Sequence, residues 1–411
     1  MSPGGEPAPG SAAGAAHRHL PVLLATLSAI GPFAIDTYLP AFPDIAQGLG
    51  ASQLEVQQTL TAYLAPYAFM LLWHGAIADA LGRRVVLLTG MAVFALASVL
   101  CLVAPSIEIL WLGRALQGLS AGAGTVVGRA MVRDLYHGAQ AQRVMAHVQI
   151  MFALAPAAAP ILGGLIGAAL GWRSVFGFLV LFSAGVCLWC WRALPETLPP
   201  AQRHPLHPVT LAQAYGHAFT LPPFMLLVLA LAFNFSGFFI YVLSAPVFLM
   251  QHLGLSAQGF AWMFVPGVAG MMLGSYLSGR LAGRLSPRRT IACGYVVMAT
   301  AAAGNVLLNL QSPPALPWAI APIIVYNLGM ALAMPSLSLL AIDLLLHRKG
   351  LAASCQGFVQ MCSNALTASL IAPLAWGSTA GLAATMAVFM SAGILSFGLY
   401  LWRWRAPPQA H

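Results

Sequence analysis

The sequence predicts an all-helical membrane protein of twelve transmembrane helices arranged as two six-helix bundles, and three observations carry that expectation. Hydrophobic residues make up 60% of the 411-residue chain, only 7% is charged, and the mean hydropathy is +0.83. That leaves too little polar surface for a water-soluble globule. Apolar runs of spanning length recur along the chain, and at roughly 20 apolar residues per crossing helix there is room for about twelve. The basic residues, finally, segregate to one side of the resulting map.

The runs fall near 20–42, 54–78, 84–104, 107–131, 143–169 and 172–192, then near 221–250, 257–279, 290–310, 316–343, 351–376 and 379–402. The Gly, Pro, Ala and Ser at the start suit a disordered tail over 1–19. A cleavable signal peptide is not expected, because the first apolar run begins near Leu20 and continues for a full span. An N-terminal bundle over 20–194, a linker over 195–220, a C-terminal bundle over 221–403 and a short tail over 404–411 follow. The linker is polar and rich in proline. Its His204 and His207 are too few to hold a metal, and no metal site is expected.

Of the 18 Lys and Arg, all but Arg114 and Arg173 fall on one face of this map. The positive-inside rule makes that face cytoplasmic and places both termini there. The formal charge of +9 therefore reports orientation, and no nucleic-acid partner is expected. The six cysteines lie in apolar runs, where they pack as small hydrophobes, and no disulfide is expected. The halves also echo each other. Residues 75–84 (GAIADALGRR) follow span two, residues 279–289 (GRLAGRLSPRR) follow span eight, and Gly283 stands where the first copy has Asp79. Parallel repeats with substrate handled at their interface are a transporter architecture.

Several local patterns carry chemistry. Gly75, Asp79, Gly82, Arg83 and Arg84 keep the spacing G-x3-D-x2-G-R-R, in which the glycines allow a tight turn between two helices and the charges sit at the rim. Arg114 lies inside span four, in residues 113–118 (GRALQG). An arginine at membrane depth costs on the order of several kcal/mol unless it meets a partner or water. Span five carries Ala155, Ala159, Gly163, Gly167 and Gly171 at four-residue steps, with Gly164 alongside and Pro156 and Pro160 on an adjacent stripe. Small residues in that register let two backbones touch, and prolines bend the helix. Span one closes on residues 35–43 (IDTYLPAFP).

These three patterns resemble motifs A, B and C of the major facilitator superfamily. Residues 35–43 and 347–354 (HRKGLAAS) are similar to its Bcr/CflA drug-resistance branch. Alanines at 155 and 159, and Thr37 where methionine is common, are the departures. The resemblance covers nearly the whole chain, more weakly in the second half. It implies the major facilitator fold, with two six-helix bundles related by a pseudo-twofold axis. It also implies a proton-coupled antiporter in the bacterial inner membrane that exports small amphipathic drugs such as bicyclomycin- or chloramphenicol-like compounds. Such a protein would act as a monomer, driven by the proton gradient and without a cofactor. Motif A implies a cytoplasmic gate in which Asp79 meets a neighbouring helix terminus and a basic residue of span four, Arg129 or Arg133. A dedicated exporter of one endogenous metabolite is the alternative. An enzyme is disfavoured, since the zinc-protease pattern HExxH does not occur.

Nine acidic residues exist, and on the span map Asp36 is the one well inside the membrane. It is the best available proton carrier. Span one runs outward and places Asp36 about six residues, roughly 9 Å, from its outer end, while span four runs inward and places Arg114 about seven residues, roughly 10 Å, from the same face. The two can therefore share a layer and pair. A substrate cavity is expected to be lined from both halves, by Asp36, Tyr63 and Tyr67 and by Phe235, Tyr241, Asn327, Met330, Gln356, Gln360 and Asn364.

Overall fold

A computed structural model of the chain describes residues 12–136, 138–203, 205–311, 315–345 and 348–404. His204, His347 and most of both predicted tails lie outside the described residues. Among the described residues, twelve long helices follow one another: α1 (Ala12–Asp36), α2 (Gln53–Leu81), α3 (Arg83–Leu102), α4 (Ile107–Leu135), α5 (Gly138–Leu170), α6 (Trp172–Ala193), α7 (Pro222–Leu243), α8 (Ala261–Leu281), α9 (Pro287–Gln311), α10 (Ala321–Asp343), α11 (Lys349–Leu366) and α12 (Thr379–Arg403). Each coincides with one predicted span. Ten segments are apolar and long enough to cross a membrane by composition alone. The exceptions are α4 and α5. α4 is buried in protein along most of its length and so needs less lipid-facing apolar surface.

The ends follow from local chemistry. Ser52 caps α2 in a reciprocal box, its hydroxyl accepting from the Glu55 backbone N–H while the Glu55 carboxylate accepts from the Ser52 N–H. Gly82 separates α2 from α3 at φ +107°, a conformation open to glycine and not to side chains. α7 passes into a π-helical turn at Pro246–His252, and α11 into another at Thr367–Ile371.

One expectation needs correction. α1 begins at Ala12, inside the segment read as a disordered tail, because the alanine-rich stretch extends the helix. The linker holds a short helix, Pro208–Phe219, with proline at its first turn, where the missing N–H costs nothing.

In the first half α1 packs on α4 and α5, α2 on α4, and α3 on α4 and α6. The second half repeats this with every number raised by six: α7 on α10 and α11, α8 on α10, and α9 on α10 and α12. The halves meet along α2 with α11 and α5 with α8, two pairings related by the same exchange. At the end away from most of the arginines the Gln58 amide donates to the Ser369 carbonyl (3.3 Å) and the Gln251 amide to Gln53 (3.3 Å). Toward the other end the linker helix docks on α2, the Tyr215 hydroxyl donating to the Leu72 carbonyl (2.7 Å).

Candidate functional site

α1 ends at Asp36, which is 4% exposed. The chain then turns through Thr37, whose hydroxyl donates back to the Phe33 carbonyl, into a 3-10 turn at Leu39–Ala41. Gly163 of α5 lies against the Thr37 backbone so closely that any side chain at 163 would collide with it. The glycine of the motif-C pattern thus lets α5 touch the bend beside Asp36. Ala155, Ala159 and Pro160 are buried on the same helix, Pro156 is half-buried, and Gly164 meets the backbone of Ala257 in the other half.

Arg114 is fully buried in α4. Its Nη1 donates to the Ala34 carbonyl at the end of α1 (2.9 Å) and to Oε1 of Gln117, one turn on (2.7 Å). Gln117 is oriented in turn by donating to the Ser98 hydroxyl of α3 (2.8 Å). The guanidinium sits between two tyrosine rings, 4.3 Å from the centroid of Tyr38 and 4.4 Å from that of Tyr63. Such cation–π contacts are strongest when desolvated, at roughly 2 kcal/mol or more. Tyr38 is anchored by Thr59 (2.9 Å), Tyr63 by the Gly31 carbonyl (3.3 Å), and Tyr67 stacks on Tyr63. Gly118 permits this arrangement, because a side chain there would strike the Tyr63 backbone.

Asp36 and Arg114 share a layer, but among the described residues they form no ion pair. The arginine turns to the end of α1 two residues before Asp36, where Nη1 finds the Ala34 carbonyl and the guanidinium lies against two aromatic rings, while Nε and Nη2 are buried without a hydrogen-bond partner. Oδ1 of Asp36 is left buried with no hydrogen-bond partner.

The residues expected from the second half are not gathered in the same way. Tyr241 accepts from the Asn305 amide (2.8 Å), and Gln356 is tied to Ser338 of α10 through both its amide atoms (2.8 and 3.2 Å). Asn327 donates to the Gly267 carbonyl of α8 (3.3 Å). Phe235 stacks on Phe239, Met330 is fully buried, and Gln360 is half-buried. Asn364 is 1% exposed, and its Oδ1 has no hydrogen-bond partner. Tyr241 and Gln356 therefore serve as ties between helices.

At the arginine-rich end the charges interlock differently from the expected gate. Asp79 pairs with Arg83 across Gly82 (2.7 Å), and Arg83 also reaches Asp134 at the end of α4 (3.3 Å), which accepts from the Thr197 hydroxyl (2.9 Å). Asp79 does not meet the terminus of α3. Glu196 does, accepting from the backbone N–H of Arg83 (3.0 Å) and of Arg84 (3.2 Å). The linker returns there, and a helix N-terminus draws the nearest carboxylate. Arg133 is exposed, and Arg129 lies within electrostatic reach of Tyr67. Sequence reasoning missed Glu196 because it read as a loop residue. Gln117 could have been found, since it follows Arg114 at i+3 on the same face. Glu196→Ala strips three backbone N–H groups, those of Arg83, Arg84 and Leu198, of their acceptor and is expected to cost about 1–2 kcal/mol. Thermal unfolding in detergent measures this, and an unchanged midpoint would remove Glu196 from the account.

Two repeated six-helix halves around buried polar groups define a membrane transporter, and comparison with known proteins agrees. Residues 24–370 match the model of the Major Facilitator Superfamily, and the chain belongs to that family. It is 32% identical over 359 residues, 86% of this chain and 88% of the relative, to the uncharacterized MFS-type transporter YdgK of Bacillus subtilis. It is also 32% identical, over 76% of this chain and 74% of the relative, to a chloramphenicol resistance protein of Pseudomonas aeruginosa. A solved D-xylose-proton symporter superposes with a TM-score of 0.72 over 95% of this chain and 98% of its own, and at 14% identity this shows the fold alone.

Proposed function

We propose that this protein is a proton-coupled exporter of small amphipathic molecules, drugs such as chloramphenicol among them, across the inner membrane of a bacterium. Both termini lie on the cytoplasmic side, the proton gradient is the energy source, and a single chain without a cofactor is the working unit. The observation that carries this reading is Asp36, the one buried carboxyl among the described residues, with an oxygen that has no partner. A charged carboxylate is tolerated only where water or a cation reaches it. Opening and closing of the surroundings therefore couples to gain and loss of a proton. The name of the Pseudomonas relative supports the substrate class.

Inverted membrane vesicles energised with a proton gradient test this directly. They are expected to accumulate labelled chloramphenicol or a related amphipathic drug and to lose it when a protonophore is added. Accumulation that survives the protonophore would end the antiport reading. Orientation is tested separately. Reporters fused after Arg405 or inserted in the 195–220 linker are expected to behave as cytoplasmic, and an external C-terminus would overturn the sidedness.

A further inference from the structure

A cleft of about 170 Å³ lies between the two halves at the end away from the arginine-rich loops, apart from the layer of Asp36 and Arg114. One wall is Phe42, Pro43 and Ala46, from the short helix Phe42–Leu49 that follows α1, together with Gln53, Val56 and Gln57 of α2. The facing wall comes from the second half, with Leu243, Pro246, Val247, Gln251 and Trp376. Among the described residues no charged side chain lines it, and its only polar side-chain groups apart from the Trp376 indole N–H are three glutamine amides.

Three features mark this cleft as built for a ligand. Gln57 is 1% exposed, yet its Nε2 has no hydrogen-bond partner, so a buried donor stands at the wall waiting for an acceptor. Leaving such a group unmatched costs roughly 1–3 kcal/mol. Trp376 is fixed in place, its indole N–H donating to the Ser244 hydroxyl (3.2 Å) and its carbonyl bound to the His252 ring (2.9 Å), so the apolar wall is pre-formed. The halves are held together nearby by hydrogen bonds from neutral amides, Gln251 donating to Gln53 and Gln58 to the Ser369 carbonyl. Such bonds contribute only about 0.5–1.5 kcal/mol each and can break without stranding a charge.

We propose that this cleft is a release subsite, which takes the apolar end of a neutral molecule bearing a carbonyl or hydroxyl oxygen that accepts from Gln57. The proposal rests on the export reading above and adds a second station to it. The volume fits that role. It is smaller than the roughly 300–1,000 Å³ of pockets that enclose a drug-sized ligand, so the cleft engages one end of a substrate while the halves separate around it. The absence of charged walls excludes ions from the station, whatever the central site accepts.

Acetanilide, one aromatic ring with one amide, is the probe. The purified full-length protein in nanodiscs carries 5-fluorotryptophan, and the Trp376 resonance is identified by its loss in Trp376→Phe. Titration is expected to shift that resonance saturably. Gln57→Leu should weaken the apparent affinity about fivefold or more, and Ala46→Phe, which fills the cleft from a half-exposed position, should abolish the shift. Benzoate, of similar size but anionic, should not compete. A linear, unsaturable response would overturn the proposal, as would equal affinity in both variants or competition by benzoate. Uphill export is read independently in vesicles, so the antiport reading can fail while binding in the cleft stands, and the reverse.

Discussion

Asp36→Asn is expected to abolish uphill, pH-gradient-driven export while leaving the protein folded and inserted. A fixed neutral amide cannot alternate between proton-loaded and unloaded states, so the gradient loses its handle on the transport cycle. Folding should survive because an amide is cheaper to bury than a carboxylate. No ion pair to Arg114 has to be broken to make the change, and Oδ1 has no partner to lose. Facilitated, downhill movement of a neutral substrate should persist at a measurable rate. Accumulation in inverted vesicles and thermal unfolding of the purified variant check both halves of the expectation. If Asp36→Asn still concentrates a neutral substrate on a proton gradient alone, the coupling role belongs to another residue.

Arg114→Lys is expected to be nearly as damaging, for a different reason. Nη1 of the guanidinium binds both the Ala34 carbonyl and Gln117 while the guanidinium face lies against Tyr38 and Tyr63. An ammonium keeps the charge but has neither the planar face nor the fixed fork. Losing one ring contact and one charged hydrogen bond should cost on the order of 2–4 kcal/mol. Because these contacts hold the end of α1, export should fall along with the unfolding midpoint. A variant that unfolds at the wild-type temperature and exports normally would show that charge alone matters here. The structure thus changes the meaning of this residue: it holds the helix that carries Asp36, and any influence on the carboxyl's charge acts across a gap.

The patterns in the chain were legible to different depths. Gly163 was read as a close-approach position, and it abuts the Thr37 backbone in the bend after α1, as Gly118 abuts the Tyr63 backbone of α2. Spacing alone could say that small residues allow contact, but not that Gly163 would choose the Thr37 bend. The resemblance to motif A assigned Asp79 a helix terminus, whereas Glu196 occupies that of α3, and the return of the linker to α3 has no local signal in the sequence. Tyr241 and Gln356 were read as cavity residues from their polarity, whereas their polar atoms are taken by Asn305 and Ser338. A period of 3.6 residues gives the face of a helix without saying which neighbour that face will meet.

By itself the sequence determined twelve spans, their two-half repeat, the segregation of basic residues, and which few charges must lie within the bilayer. The reason is that a membrane imposes its demands on composition, one segment at a time: a span must be apolar over a set length, and a buried charge stands out against it. Only the tertiary structure decided that Arg114 is held by the end of α1 and two tyrosines, that Asp36 keeps an oxygen without a partner, and that Glu196 caps α3. Those contacts join residues about 50 or more positions apart in the chain. Depth along a helix fixes the layer a side chain occupies, but partners within a layer are chosen by rotation and by ångström-scale packing between helices.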